Sequence, residues 1–377
     1  MILDKQVNQI YLYETFRTFG MDLIGLFIPI YILSQGLGFQ YALGFLIVEQ
    51  LVSLVLSLPV SYLIARIGFK HSLIISYIFL LPALLVLRTG QITGQIIVFS
   101  AVIYSLGKIL HGLALNSEFA VDSHQKKRDS ESSRMLGLPN ISRFLAPVSG
   151  GYILNMAGFN ILVSTSILFF TISAGILLIS KDHRDPLKYN FKDIVKNNYS
   201  KTFPVFFARG ILNITAVTGF ALFTFFFIGN EVDAGLVAAI DNLGLLITAI
   251  ISGKLSSRFG RKHLILFGFI GSALIHFSRG LATTPTQAVA ISGLGGLVFM
   301  FYEVPLFSDY ADLAEKEDVL EFYTAKRMLF KAGQLLTLAI IVGVGITTSL
   351  KQGFQTAFIL AGLTSASLVL LTREDWI

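Results

Sequence analysis

Apolar runs separated by short polar breaks recur along the whole 377-residue chain. A helix needs roughly 20 apolar residues to cross a bilayer. Runs of that length lie near 11–34, 41–64, 72–88, 95–117, 136–157 and 159–180. A second set follows near 203–229, 235–253, 263–280, 287–308, 328–348 and 353–372. The pattern predicts an all-α polytopic membrane protein with twelve transmembrane helices. The longest polar stretch, 181–202, divides it into six-helix bundles over 1–180 and 203–377. Phe191-Lys192-Asp193-Ile194-Val195-Lys196 inside that stretch is partly amphipathic, which suits either a surface helix or a plain cytoplasmic tether.

The two halves repeat each other. Gly68, Lys70 and His71 recur 192 residues on as Gly260, Lys262 and His263, Glu49-Gln50 as Asp241-Asn242, and Arg17 as Arg209. Arg134-Met135-Leu136 returns as Arg327-Met328-Leu329, and Ser117-Glu118-Phe119-Ala120 as Ser308-Asp309-Tyr310-Ala311. In a membrane protein, two halves of like topology mark a transporter with its substrate path between the repeats.

Composition and charge fix the topology. Apolar residues make up 54% of the chain and charged ones 14%, so no sizeable soluble domain is expected. Basic residues crowd one set of loops: Arg66, Lys70, Lys126 to Arg128, Arg134, the lysines of 181–202, Arg258 to Lys262, Lys326 and Arg327. The opposite loops hold only Arg88, Arg279 and Lys351, so both termini are expected in the cytoplasm. The net charge of +6 is then topology anchoring at anionic headgroups rather than a nucleic-acid surface. No cleavable leader is expected, because the first apolar run continues as a full span. The chain has no cysteine, which excludes disulfides, thiol chemistry and Cys-ligated metals.

Two stretches carry a family resemblance. Ser61-Tyr62-Leu63-Ile64-Ala65-Arg66-Ile67-Gly68-Phe69-Lys70-His71 and Gly253-Lys254-Leu255-Ser256-Ser257-Arg258-Phe259-Gly260-Arg261-Lys262-His263 each read as a tight cytoplasmic turn. Gly68 and Gly260 supply the positive φ that a short reversal needs. The second copy resembles the loop motif of the major facilitator superfamily, Gly-x-x-x-Asp-Arg-Phe-Gly-Arg-Arg/Lys, in Gly253, Arg258, Gly260, Arg261 and Lys262. The first matches it in Arg66, Gly68 and Lys70. Ala146-Pro147-Val148-Ser149-Gly150-Gly151 is similar to that family's Gly-Pro-x-x-Gly-Gly. The resemblance implies an alternating-access transporter in which spans 1, 2, 4, 5, 7, 8, 10 and 11 line a central path. The motif's aspartate is Ala65 in one copy and Ser257 in the other, so a latch built on that carboxylate is missing.

Charges inside apolar spans are costly and mark functional positions. The ionisable groups are Glu14, Arg17 and Asp22 in span one, Glu49 in two, Lys108 and His111 in four, and Arg143 in five. The second half has Arg209 in seven, Asp241 in eight, Glu303 in ten and Lys331 in eleven. Asp22 is the leading proton-coupling candidate, or else a structural carboxylate satisfied by a neighbouring helix. His111 and Glu303 occupy equivalent repeat positions, and a His–carboxylate pair across the halves would be a second proton site. Arg17 and Arg209 suit a bidentate anion clamp or an inner gate. Lys108, Arg143 and Lys331 make the inner vestibule net positive. Glu49 and Asp241 bind substrate polar groups or close an outer gate. Pairs Glu118–Arg327 and Asp309–Arg134 are expected to shut the cytoplasmic side.

No Gly-x-x-x-x-Gly-Lys-Ser/Thr loop occurs, so an ion gradient rather than ATP is the expected energy source. No catalytic constellation and no metal-ligand pattern is evident. The expected protein is a monomeric, proton-coupled secondary transporter of the cytoplasmic membrane. It would use no cofactor and act on a small organic or phosphorylated anion. Export of lipophilic cations is the alternative, and a transport-inactive receptor or assembly partner is the reading from another class.

Overall fold

A computed structural model gives the fold and describes residues 5–88, 92–122, 128–179, 202–316 and 319–373. The 181–202 tether lies outside the described residues except for Thr202. All regular structure among the described residues is helical. The first half of the chain forms α1 (Lys5–Ile24), α2 (Phe27–Ser34), α3 (Phe39–Ile67), α4 (Phe69–Leu87), α5 (Gly94–Asp122) and α6 (Arg128–Ile179). The second half forms α7 (Phe203–Asn213), a π-helical turn (Ile214–Gly219), α8 (Phe220–Phe227), α9 (Glu231–Phe259), α10 (Arg261–Arg279), α11 (Pro285–Lys316), α12 (Val319–Thr347) and α13 (Leu350–Arg373).

Local chemistry explains most of the breaks. Pro29 cannot donate to Gly25 and its ring crowds that carbonyl, so the first span divides into α1 and α2 at Gly25-Leu26. Gly68 and Gly260 sit at φ 86° and 82°, one between α3 and α4, the other between α9 and α10. Each N–H closes the preceding helix, on Ile64 O at 2.8 Å and on Ser256 O at 3.0 Å. Gly158, at φ 79° and ψ 172°, leaves helical geometry and splits α6 into two limbs. At the start of α9, Asn230 Oδ1 accepts from the Val232 and Asp233 amides while Asp233 Oδ2 accepts from the Asn230 N–H. This capping box fixes where the helix begins.

Among the described residues, ten stretches are long and apolar enough to cross a membrane. Among them, Pro139–Ile179 runs for 41 residues and contains the Gly158 break. α10 falls short because Arg261, Lys262 and His263 at one end, and His276 and Arg279 at the other, dilute its apolar content. The large exposed side chains are aliphatic and aromatic, among them Ile78, Ile250, Leu274 and Leu363, as expected where the surrounding solvent is lipid. The chain is a multi-pass membrane protein.

One apolar core runs through both halves, joining Phe27, Phe45 and Phe170 to Phe206, Phe223 and Phe358. Two helix pairs form most of the contact between the halves, α9 on the first limb of α6 and α12 on α3. Small residues let backbones touch in the second half. A Cβ on Gly333 of α12 would run into the Phe207 carbonyl of α7, and one on Gly296 of α11 into the Asp241 carbonyl of α9.

Candidate functional site

A polar cavity of about 410 Å³ lies between the halves. It takes Asp22 from α1, Glu49 and Gln50 from α3, Tyr104 and Lys108 from α5, and Arg143 from α6. From the second half come Asn213, Ile214, Ala216, Val217 and Thr218 around the π turn, Asp241 and Asn242 from α9, Glu303 from α11, and Lys331 and Gln334 from α12. A second cavity of about 310 Å³ adjoins it, with Arg143, Arg209, Lys326, Arg327, Lys331 and Glu303 as its charged lining. Arg143, Asn213, Glu303, Phe330 and Lys331 line both. These five side chains form the wall between the two spaces.

The following ion pairs of the site's charges each close within one half. Lys108 holds Glu49 in a direct ion pair. Arg143 Nε stands 3.6 Å from Asp22 Oδ2, both about one-third exposed to the cavity. His111 Nε2 is 2.9 Å from Glu14 Oε2, and the Thr18 hydroxyl donates to Glu14 Oε1 at 3.2 Å. In the second half Arg209 pairs directly with Glu303 and stacks on Phe299 and Tyr302, its guanidinium carbon 5.1 and 4.8 Å from the ring centres. Arg279 Nη2 lies 3.7 Å from Asp241 Oδ1.

The contacts between halves are of another kind. Lys331 Nζ donates to Gln50 Oε1 across the seam at 2.7 Å and to Gln334 Oε1 at 2.8 Å. Gln334 Nε2 continues the chain to Asn213 Oδ1 at 2.8 Å. Asn242 Nδ2 donates to the Arg143 carbonyl at 3.0 Å. Gln50 and Asn242 are repeat equivalents, so in each half the acid of the repeated pair faces inward and its amide neighbour reaches across. Further along, Arg327 Nε donates to Ser53 Oγ at 3.1 Å, the Ser308 and Ser132 hydroxyls bond at 3.0 Å, and the rings of Phe119 and Phe307 meet at 5.0 Å.

Several expected pairings take other forms. Arg17 and Arg209 do not make a clamp: Arg209 is committed to Glu303, while Arg17 is buried and lines neither cavity. His111 and Glu303 do not meet across the seam, since each has a partner on the helix that packs beside it. Asp309 accepts from Arg261 at 2.6 Å, an arginine of the loop motif that also reaches Asp312 at 2.5 Å. The Arg134 side chain, the other end of the expected Asp309–Arg134 pair, lies outside the described residues. Arg327 is bonded to Ser53 and not to Glu118. In the first loop, Arg66 bonds to the Tyr62 hydroxyl and lies over its ring at 4.3 Å, and Lys70 starts α4. Arg258 ends α9 over Phe259, Lys262 opens α10, and Gly253 lies within α9.

Sequence reasoning missed Asn213, Gln334 and Lys326. Gln334 was findable one turn beyond Lys331. Lys326, whose ammonium lies 4.3 Å from the Tyr310 ring centre and 5.2 Å from that of Tyr323, gave no signal beyond its charge. Among the described residues, no group of three or more His, Asp or Glu side chains is placed to hold a metal ion.

No family model and no curated protein matches the chain. Solved structures do. One is a bacterial homologue of the iron transporter ferroportin in an outward-facing state, with TM-score 0.75 and 13% identity over 99% of both chains. Another is a bacterial homologue of ferroportin in the outward-facing state with soaked iron, with TM-score 0.73 and 14% identity over 99% of each. The chain shares its overall fold with these solved structures. At this identity the likeness concerns the path of the chain, and chemistry must be read from the cavity itself.

Proposed function

We propose that this protein is a secondary transporter that moves a small organic or phosphorylated anion across the cytoplasmic membrane by alternating access, with protons as the coupling ion. On this reading twelve spans form two six-helix bundles with both termini in the cytoplasm. The observation that carries the anion reading is the smaller cavity, which Arg143, Arg209, Lys326, Arg327 and Lys331 line together with the single carboxylate Glu303. Such a cluster of basic groups in a low-dielectric space attracts and holds anions.

The iron of the structural neighbours is not carried over. Asp22, Glu49, Asp241 and Glu303 each face a basic group of their own half, and a divalent cation would have to displace one. Arg143 and Lys331 approach the wall between the cavities from opposite halves, so an anion held by both would draw the halves together. A proton arriving on Asp22 neutralises it and frees Arg143 for that anion. Lys108 with Glu49, and His111 with Glu14, fix the helices behind. The contacts of Ser53, Ser132 and Phe119 with Arg327, Ser308 and Phe307 lie at the end assigned to the cytoplasm, which supports an outward-facing state.

Thermal stability of the purified protein in detergent tests the reading. Phosphate, citrate and a sugar phosphate are compared with tetraphenylphosphonium. A ligand at a hundredfold excess over its Kd stabilises by about 2.7 kcal/mol. At least one anion should raise Tm in the wild type and fail to do so in Arg143→Gln and Lys331→Met. Stabilisation by tetraphenylphosphonium alone would replace anion transport with cation export.

A further inference from the structure

A buried cluster in the second half plays no part in the anion path just described. Arg279 ends α10 and is 2% exposed, the largest of the fully buried side chains. Its Nη2 faces Asp241 Oδ1 at 3.7 Å, its Nη1 donates to His276 Nδ1 at 3.2 Å, and its Nε has no hydrogen-bond partner. An arginine only donates, so His276 Nδ1 must accept and the imidazole is neutral, with its proton on Nε2. Thr215 Oγ1, inside the π turn, lies 3.4 Å from the same Nδ1. Phe220, the first residue after the turn, lies under the guanidinium at 5.3 Å. Both ends of the π turn therefore touch the cluster.

Asp241 is the cluster's opening to water, because it alone of the three lines the cavity. Across the cavity from it stand Asp22 of α1, Glu49 of α3 and Lys108 of α5. α10 supplies Arg279 and His276, α11 supplies the Ser292 hydroxyl at 3.5 Å and Glu303, and α6 supplies Arg143. α12 places Lys331 on the same cavity, and α8 contributes only apolar side chains and the Thr224 hydroxyl.

We propose that Asp241, Arg279 and His276 form a proton-operated switch in the second half, read out by the π turn of residues 214–219. It rests on the transporter reading and adds a proton site that acts on conformation rather than on anion binding. A proton from the cavity bonds to a carboxylate oxygen of Asp241, leaving a neutral acid. Arg279 then keeps only the His276 lone pair as acceptor and shifts towards it. Movement of His276 against Thr215, and of the guanidinium over Phe220, changes the cavity wall at Ile214, Ala216, Val217 and Thr218. Protonation thereby disfavours the state with an open cavity.

The absence of native cysteine makes a clean test available. Val217, 49% exposed on the π turn, is changed to Cys, and Lys351→Cys, exposed at the start of α13, serves as reference. The rate of labelling by a polar maleimide in nanodiscs is measured for each, and the ratio cancels the thiol's own titration. In the wild-type background the ratio should fall about threefold or more from about pH 8 to pH 5. Asp241→Asn should hold the low-pH ratio throughout, Asp241→Glu should keep the response with a displaced midpoint, and Asp22→Asn should leave it intact. A wild-type pH response surviving in Asp241→Asn overturns the switch, as does a flat ratio in wild type. Should Asp241→Asn not fold, an unmoved midpoint in Asp241→Glu overturns it equally. The readout needs no substrate, so its failure is distinct from a failure to find an anion that binds.

Discussion

Two glycines on the same helix separate a close contact from ordinary helix propensity. In α12, a Cβ on Gly333 would run into the Phe207 carbonyl and come within 3.1 Å of the Ile211 nitrogen, both backbone atoms of α7. A Cβ on Gly343, ten residues further on, meets nothing within 4 Å. Replacing either by Ala improves the helix by about 1 kcal/mol. That contribution is common to both and cancels in the comparison. What remains is the overpacking at Gly333, where backbone must yield by on the order of 1 Å to restore normal contact. Overpacking of this kind costs about 1–3 kcal/mol. Gly333→Ala should therefore melt below Gly343→Ala by that margin, measured by thermal unfolding in one detergent. Parting α7 from α12 also strains the Asn213–Gln334 bond, so anion-induced stabilisation should weaken in Gly333→Ala alone. A Gly333→Ala protein that melts at or above Gly343→Ala would refute the backbone crossing.

Two other substitutions probe the charges. Lys108→Gln strands the buried Glu49 carboxylate and should cost about 3–5 kcal/mol, most of it recovered in Lys108→Gln/Glu49→Gln, with thermal melts as the measure. Lys331→Met removes the ammonium that joins Gln50 to Gln334, so a cysteine placed at Asn116 in the smaller cavity should react several-fold faster with maleimide. An unchanged rate there would mean that the Lys331 bridge does not hold the halves together.

Much of the fold is legible in the sequence because lipid imposes a single demand, apolar length, that local composition reveals directly. The boundary read between 157 and 159 falls on Gly158, where the helix breaks. Gly68 and Gly260 adopt the positive φ that their shared motif suggested. The charge partners were not legible. Arg209 and Glu303 are 94 positions apart, and their pairing depends on which faces of α7 and α11 meet. Spacing gives the face of one helix but not its rotation against another. The π turn was also silent, since Ile214-Thr215-Ala216-Val217-Thr218-Gly219 differs little from any apolar helix.

The division of labour between the repeated acids and their amide neighbours bears on how cheaply the molecule can change shape. The named ion pairs close inside a half, and breaking a buried one such as His111–Glu14 or Arg209–Glu303 would strand a charge away from water. The seam relies on an ammonium between amide oxygens, an amide on a carbonyl, a guanidinium on a hydroxyl, paired hydroxyls and two rings. A neutral hydrogen bond exchanged for water nets about 0.5–1.5 kcal/mol, and one made by an ammonium or guanidinium about 1.5–3 kcal/mol. Rocking one half against the other therefore costs a handful of small exchanges, within reach of a single bound solute. The attraction of Lys331 and Arg327 for Glu49 does cross the seam. Glu49 and Lys331 are buried, however, and buried charges are little screened, so added salt should change the rate of that rocking only slightly.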